Sequence, residues 1–410
     1  MRRLPHLTRV NVAVLFTICF ALVASIARGG PLESNRPLRI GVLASLTGSW
    51  STLGQNTVAA LQLAIERLEV DASRKSDARV RLFVRDTKLD PALALAAIKD
   101  LDKHGVNVVI GPQSSSELAA VKAYADQHDI LVISQGSTAS SLAIANDNLF
   151  RMCPNDRREA AAIAALMWRD GIRTLVPLWR NDAGNNGLHD SVQQVFQSMG
   201  GVVTAGFRYE PTTTAFTSAV AAASAQVAAA QVATPSSVAV YLAAFDEVVG
   251  VFRAAQTDAT LTAATWYGSD GVALSQPLLQ DSEAAAFAVG AEYPNPIFGL
   301  DDALESRWGP VAAAVKARSG IDADAFALSA YDALFVVVRA HQATNRRGGF
   351  AAFKSAFVAA ANAYDGVTGS TALDPAGDRV SADFDFWAVR PDAGGYRWVR
   401  VGRYVDGVLF

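Results

Sequence analysis

Two short turns hold the residues best suited to chemistry. In "GPQSSSE" (111–117) three serines separate an apolar run from a helical pattern, and "SQGSTASS" (134–141) repeats the arrangement after the next apolar run. Ser114 and Glu117 have the S-x-x-E spacing of a capping box, which satisfies two amides at a helix start. One serine suffices for that. Hydroxyls and free amides where a strand gives way to a helix also suit a small anion, because the first helical N–H groups lack partners and the dipole is positive there. Cap and anion seat are both open readings of each turn. Their recurrence after neighbouring strands points to the polar floor of one pocket.

Other chemistries find little support. The five histidines (His6, His104, His128, His189 and His341) stand apart, without the spacing of a metal site. There is no G-x-S-x-G elbow, no P-loop and no G-x-G-x-x-G after a strand, so neither a catalytic motif nor a cofactor is expected. Cys153 has no partner pattern and reads as a small buried apolar residue. A net charge of −3 without a basic face argues against nucleic acid as a partner.

The elements that must carry these turns alternate. "LRIGVLAS" precedes "LGQNTVAALQLAIERL", "VRLFVRD" precedes "PALALAAIKDLDKHG", and "NVVIG" and "ILVIS" each run into a serine turn. Strands rich in Val, Ile and Leu on both faces, separated by helices, predict a parallel sheet covered on both sides. Asp90 before Pro91 marks a helix start and Gly105 its end. The rhythm pauses at "NLFRMCPNDRREAAAIAALMW" and resumes with "TLVPLW", "GGVVTAGFRY", "SVAVYLAA" and "AATWYGS". Two α/β lobes in succession are expected. The tail from Tyr364 reads as a β-hairpin meander with turns at Asp374–Gly377 and Asp392–Gly395.

The first 27 residues carry Arg2, Arg3 and Arg9, no acid, and the uncharged run "VAVLFTICFALVASIA". This reads as an export signal cleaved before Arg28, and otherwise as an uncleaved anchor. Periplasmic or extracellular localisation is the expectation.

At this point the chain resembles a family: the type I periplasmic binding proteins, specifically the branched-chain amino-acid (Leu/Ile/Val-type) substrate-binding components of ABC importers. The resemblance covers nearly all of 38–405 and rests on the order and spacing of "IGVLASLTGSWSTLGQNTVAALQLAIERL", "RDTKLDPALALAAIKDL", "VIGPQSSSELAAVKAYADQHDILVISQGSTASSLA", "FRMCPND", "RNDAGNNGL", "YGSDGV", "LSAYDAL" and "GVTGSTALDPAGDRV". It implies two doubly wound parallel-sheet lobes, 37–152 with 293–365 and 153–292 with 366–410. Three hinge crossovers are implied near Met152–Pro154, Ala291–Pro296 and Gly366–Ser370. It also implies that Ser114, with Ser115 and nearby amides, holds a ligand carboxylate, that Ser137 and Thr138 add contacts, and that Asp270 pairs with an ammonium. Trp50 and Phe245 are the aromatics implied at the ligand. Where the family usually has an aromatic followed by glycine, this chain has Gly184-Asn185, which opens or re-polarises the side-chain pocket. The implied role is binding, not catalysis, with an ABC permease as partner. The other reading is a sensing domain for a separate receptor partner that takes an amide, urea or a short-chain acid.

Overall fold

The computed structural model describes residues 37–72, 79–233, 236–344, 348–381 and 383–410. The expected export signal lies outside them. The chain opens with β1 (Leu38–Ala44), α1 (Ser51–Ala72), β2 (Val80–Asp86), α2 (Pro91–Lys103), β3 (Val108–Ile110), α3 (Ser115–Gln127), β4 (Leu131–Ser134) and β5 (Leu149–Arg151). These five strands form one parallel sheet in the order β2-β1-β3-β4-β5. Side chains alternate between its faces as the period of two requires. Ile40, Val42, Val108, Ile110, Leu131 and Ile133 join one core, while Leu43, Val109 and Val132 join the other.

A second parallel sheet follows, built from α4 (Asp156–Arg169), β6 (Thr174–Arg180), α5 (Ala183–Ser198), β7 (Val202–Val203), β8 (Phe207–Tyr209), α6 (Thr217–Ala233), β9 (Val238–Ala243), α7 (Val248–Ala255), α8 (Ala259–Thr262) and β10 (Thr265–Tyr267). Its order is β10-β9-β6-β7, with β8 also pairing β6. Val176, Leu178, Val238 and Val240 pack on one side; Leu175, Ala239 and Tyr241 pack on the other.

The remaining elements are α9 (Gln276–Gln280), α10 (Ser282–Gly290), β11 (Asn295–Phe298), α11 (Glu305–Ser319), α12 (Ala325–Thr344), α13 (Gly349–Asn362), β12 (Asp365–Gly366), β13 (Gly369–Ser370), β14 (Phe384–Asp392), β15 (Gly395–Val405) and β16 (Val408–Leu409). Although late in sequence, α11, α12 and α13 return to the first core, where Val311, Leu328, Leu334 and Phe357 pack with β1. Strands β11-β14-β15-β16 form an antiparallel sheet.

Three local readings change. The pause at "NLFRM" is a strand, β5, which extends the first sheet by pairing with β4. "GGVVTAGFRY" is not one strand but two, because Gly206 breaks it: its φ is +62° and a Cβ there would stand 2.2 Å from the Pro177 carbonyl oxygen. The meander at the tail is present, with Asp392 opposite Gly395, but β11 joins it from earlier in the chain.

The stretch expected as the third crossover, 366–370, is pinned from both sides. The Asp332 carboxylate accepts from Val367 N (2.9 Å), Thr368 N (2.9 Å) and Thr368 Oγ1 (2.6 Å). Arg379 donates to Thr368 Oγ1 at 2.8 Å and to its carbonyl at 2.6 Å. Next to it the fully buried Arg151 pairs with Asp378.

Candidate ligand-binding site

Open parallel sheets present ligands at the carboxyl ends of their strands, where the strand order reverses. In the first sheet that point lies between β1 and β3, and the segments leaving these strands carry Trp50 and the three serines. In the second, the segments after β6, β9 and β10 carry 182–188, Phe245 and Asp270. The two sets face each other. One cavity is lined by Trp50, Ser114, Ser115, Gly136 and Thr138 on one wall and by Asp182, Gly184, Asn185, Leu188, Phe245 and Asp270 on the other. Its volume is about 20 Å³. The walls form a slot, so a molecule held there touches both.

Six of the seven candidates named above therefore meet at one cavity. Ser137 does not: fully buried, it stands behind Ser115 and donates to Ser115 Oγ (3.0 Å). Its carbonyl accepts from the buried Cys153 thiol. The serines divide their roles. Ser114 caps α3, with its hydroxyl donating to Glu117 Oε2 (2.6 Å) and accepting from Glu117 N (3.3 Å). Its hydroxyl is thus engaged in the helix cap. Ser115 Oγ accepts from Ser137 Oγ and from Ala139 N (3.1 Å), which leaves its own proton available. The amides of Ser115 and Ser116, in the first turn of α3, have no partner within the helix. The turn is held by Gly111, at φ +94°, where a Cβ would meet the Leu43 carbonyl oxygen at 2.0 Å.

Trp50 joins the walls. It sits in the left-handed region (φ 56°), sparsely populated for a bulky residue. Its N–H donates to Asp246 Oδ2 (2.6 Å) from the second sheet's side, and its carbonyl accepts from Gln113 Nε2 (2.8 Å) on its own side. Its ring lies 4.8 Å from that of Phe245. Ala183 N donates to Ser116 Oγ (3.0 Å), a second tie across the slot.

The charges on the two walls differ. Asp182 is answered by Arg180 Nε at 2.7 Å. Among the described residues Asp270 is paired with no basic side chain: its N–H donates to Glu159 Oε1 (3.1 Å), and Asp156 lies close by. Burial, then the Asp156 charge, holds the Asp270 carboxyl well above the usual carboxylate range. Burial, then the Asp270 charge, does the same to Glu159. Burial pushes Asp156 up to about 6. Asp156 and Glu159 were not singled out in the sequence, since two acids in the first turn of a helix read as ordinary partners of its dipole. Among the described residues these acids are not arranged to hold a metal ion. A larger, more open groove lies between α11 and the antiparallel sheet, around Trp308, Trp387 and Trp398, but its Asp302, Asp322, Asp385 and Asp392 are each ion-paired.

Residues 56–392 match the family described as the receptor family ligand binding region. The chain belongs to that family. The Leu/Ile/Val-binding protein BraC3 of Rhizobium johnstonii is 25% identical over 326 residues, 79% of this chain and 83% of that protein. Among solved structures, the branched-chain amino-acid transporter substrate-binding protein LivJ of Streptococcus pneumoniae, in complex with isoleucine, superposes with a TM-score of 0.71 at 19% identity, covering 89% of this chain and all of the other. An ABC transporter solute-binding protein of Rhodopseudomonas palustris, in complex with benzoate, gives 0.70 at 18% identity, covering 89% and 96%. The fold is that of the type I periplasmic binding proteins, and the resemblance to branched-chain amino-acid substrate-binding proteins stands. Among the described residues no helix is long and apolar enough to cross a membrane.

Proposed function

We propose that this protein captures a small zwitterion of the α-amino-acid type between two closing lobes and presents it to the permease of an ABC importer. The lobes we assign are 37–152 with 293–365 and 153–292 with 366–410. One observation carries the reading: a single slot has hydroxyl and amide donors on one wall and, on the other, Asp270, an acid without a basic partner among the described residues. A carboxylate meets Ser115, the first amides of α3 and Thr138. An ammonium meets Asp270. Trp50, Phe245 and Leu188 cover the apolar remainder. Charge-assisted hydrogen bonds contribute about 1.5–3 kcal/mol each, so a few of them with modest apolar burial reach the ~8 kcal/mol of a micromolar site. The names of the relatives support an ABC-importer role, and the isoleucine complex supports an amino acid. The benzoate complex supports a second reading, a carboxylate without an ammonium, but such a ligand leaves Asp270 buried and unanswered.

A thermal-shift screen with leucine, isoleucine, valine, benzoate, acetamide and urea tests this, since a ligand that binds only the folded state raises the melting temperature. Stabilisation by an amino acid, lowered about tenfold or more in affinity by Asp270→Asn, is expected. Stabilisation by benzoate alone, unaffected by Asp270→Asn, refutes the ammonium seat.

A further inference from the structure

Glu159 takes no place on the cavity wall, yet it is the residue most closely tied to the acid that does. We propose that Asp270 and Glu159 share one proton in the ligand-free protein, and that a ligand's ammonium enters the slot in exchange for it. This rests on the amino-acid reading above and deepens it: Glu159 becomes a positioning residue that reserves the site for cationic groups and ties capture to pH.

The geometry leaves the pair few alternatives. Asp270 N–H donates to Glu159 Oε1, which brings two buried carboxyl groups together. Two ionised carboxylates buried next to each other repel, so the pair holds on to one proton. Among the described residues the nearby cations are already engaged. Arg151 is taken by Asp378 and the Ala139 carbonyl, Arg180 by Asp182 and Glu247, and Arg379 by Thr368.

The other groups around the pair add negative charge or remain neutral. Asp156 contributes from the start of α4, Asp182 from the cap of α5, the Tyr241 hydroxyl from β9 and Cys153 from the first crossover. Three buried groups there are left without ordinary partners: Glu159 Oε2, both carboxylate oxygens of Asp156 and the Tyr241 hydroxyl. These unanswered groups lie close to Asp270, which lines the cavity, and point to a cation supplied from outside. The cluster is not arranged for a metal ion, so an ammonium fits it better.

The exchange balances. The free pair carries one negative charge and one proton. The ammonium brings one positive charge, the proton leaves to solvent, and the pair then carries two negative charges beside the cation. Below the pH at which the free pair loses its proton, affinity for an amino acid falls about tenfold per pH unit, because one proton must be released for each ligand bound. Above it, affinity levels off. A ligand without an ammonium releases no proton.

The test uses the full chain. Carboxyl-carbon NMR of protein labelled in Asp and Glu, assigned with Asp270→Asn and Glu159→Gln, follows the free protein from pH about 4 to about 9. One carboxyl of the pair should titrate above the ordinary carboxylate range and move back towards it when its partner is substituted. Two ordinary titrations overturn the shared proton. Calorimetry with L-leucine as probe, in buffers of different ionisation enthalpy at pH about 6, should report release of about one proton per leucine bound. Glu159→Gln should bind leucine at least as tightly as the wild type at that pH and lose most of the pH dependence, whereas a merely structural role for Glu159 would weaken binding at every pH. Leucine bound with no proton released overturns the exchange and leaves the amino-acid reading intact. No leucine heat, with a raised titration still seen by NMR, overturns the amino-acid reading and the exchange with it, and leaves the shared proton.

Discussion

Asp156→Asn offers a test of the site's electrostatics that needs no ligand. Asp156 opens α4, is fully buried, and neither of its oxygens has a hydrogen bond of ordinary geometry; the Thr138 hydroxyl and the Ser140 amide are the donors that reach toward it. It also packs against α5, where a Cβ on Gly187 would stand 2.7 Å from Asp156 Oδ2. Asparagine keeps the shape and removes the charge. Burial raises the carboxyl from 3.8 to about 6, which at about 1.4 kcal/mol per unit amounts to roughly 3 kcal/mol of instability once the group is ionised. The positive end of α4 favours the charge by about 0.3–1 kcal/mol, so the net gain of the variant is about 2 kcal/mol. The sign follows from linkage. A carboxyl raised in the folded state favours folding only while protonated, so wild-type stability is lost as pH rises from about 4 through about 6. The variant's advantage should be near zero at pH about 4 and complete by pH about 8, where it reads as a rise of about 4–8 °C in melting temperature. Scanning calorimetry at these two pH values decides it. A variant no more stable than wild type at the higher pH, or equally advantaged at both, refutes the argument.

The remaining predictions concern the serines, the pocket wall and the crossover. Ser114→Ala should cost about 1 kcal/mol of stability through the lost cap with little change in ligand affinity. Ser115→Ala should weaken a carboxylate ligand about tenfold; calorimetry with the screen's best ligand compares the two, and the reverse ranking returns the carboxylate to Ser114. Gly184→Tyr meets only ordinary contacts at Cβ, 3.5 Å from Ser115 Oγ and 3.6 Å from Asp182 Oδ1, and adds a ring at a position that lines the cavity. It should fold normally and shift the screen's ranking toward smaller ligands; an unchanged ranking removes position 184 from the wall. Arg151→Met strands the buried Asp378 and should cost about 3–5 kcal/mol, read in denaturant melts, where a loss under about 1 kcal/mol argues against the pair as a structural tie.

Much of this arrangement was legible in the sequence because it rests on local rules. Strand period, helix caps at Asp90 and Ser114, and small turns after apolar runs all act within a few residues, and they located the two sheets and one wall of the slot. Resemblance supplied Asp270, Phe245 and Trp50, whose meeting depends on two sheets facing each other. What escaped was set by distant packing. Which serine keeps a free proton depends on Ser137 and Ala139, more than twenty residues away. Asp156 and Glu159 look like dipole partners until the fold buries them beside Asp270. Strand β5 is only three residues long and is defined by its pairing with β4, so its own composition says little.

Cys153 has a practical consequence. Its side chain is buried, its thiol is turned to the Ser137 carbonyl, and burial raises it far above the ordinary thiol range. In a chain lacking residues 1–27 it is the single cysteine, and a protonated, inaccessible thiol reacts slowly with maleimides and iodoacetamides. A cysteine introduced at the rim of the slot can therefore be dye-labelled without first replacing the native one. The wild-type molecule is already a near-silent chassis for a fluorescent sensor of whatever it captures.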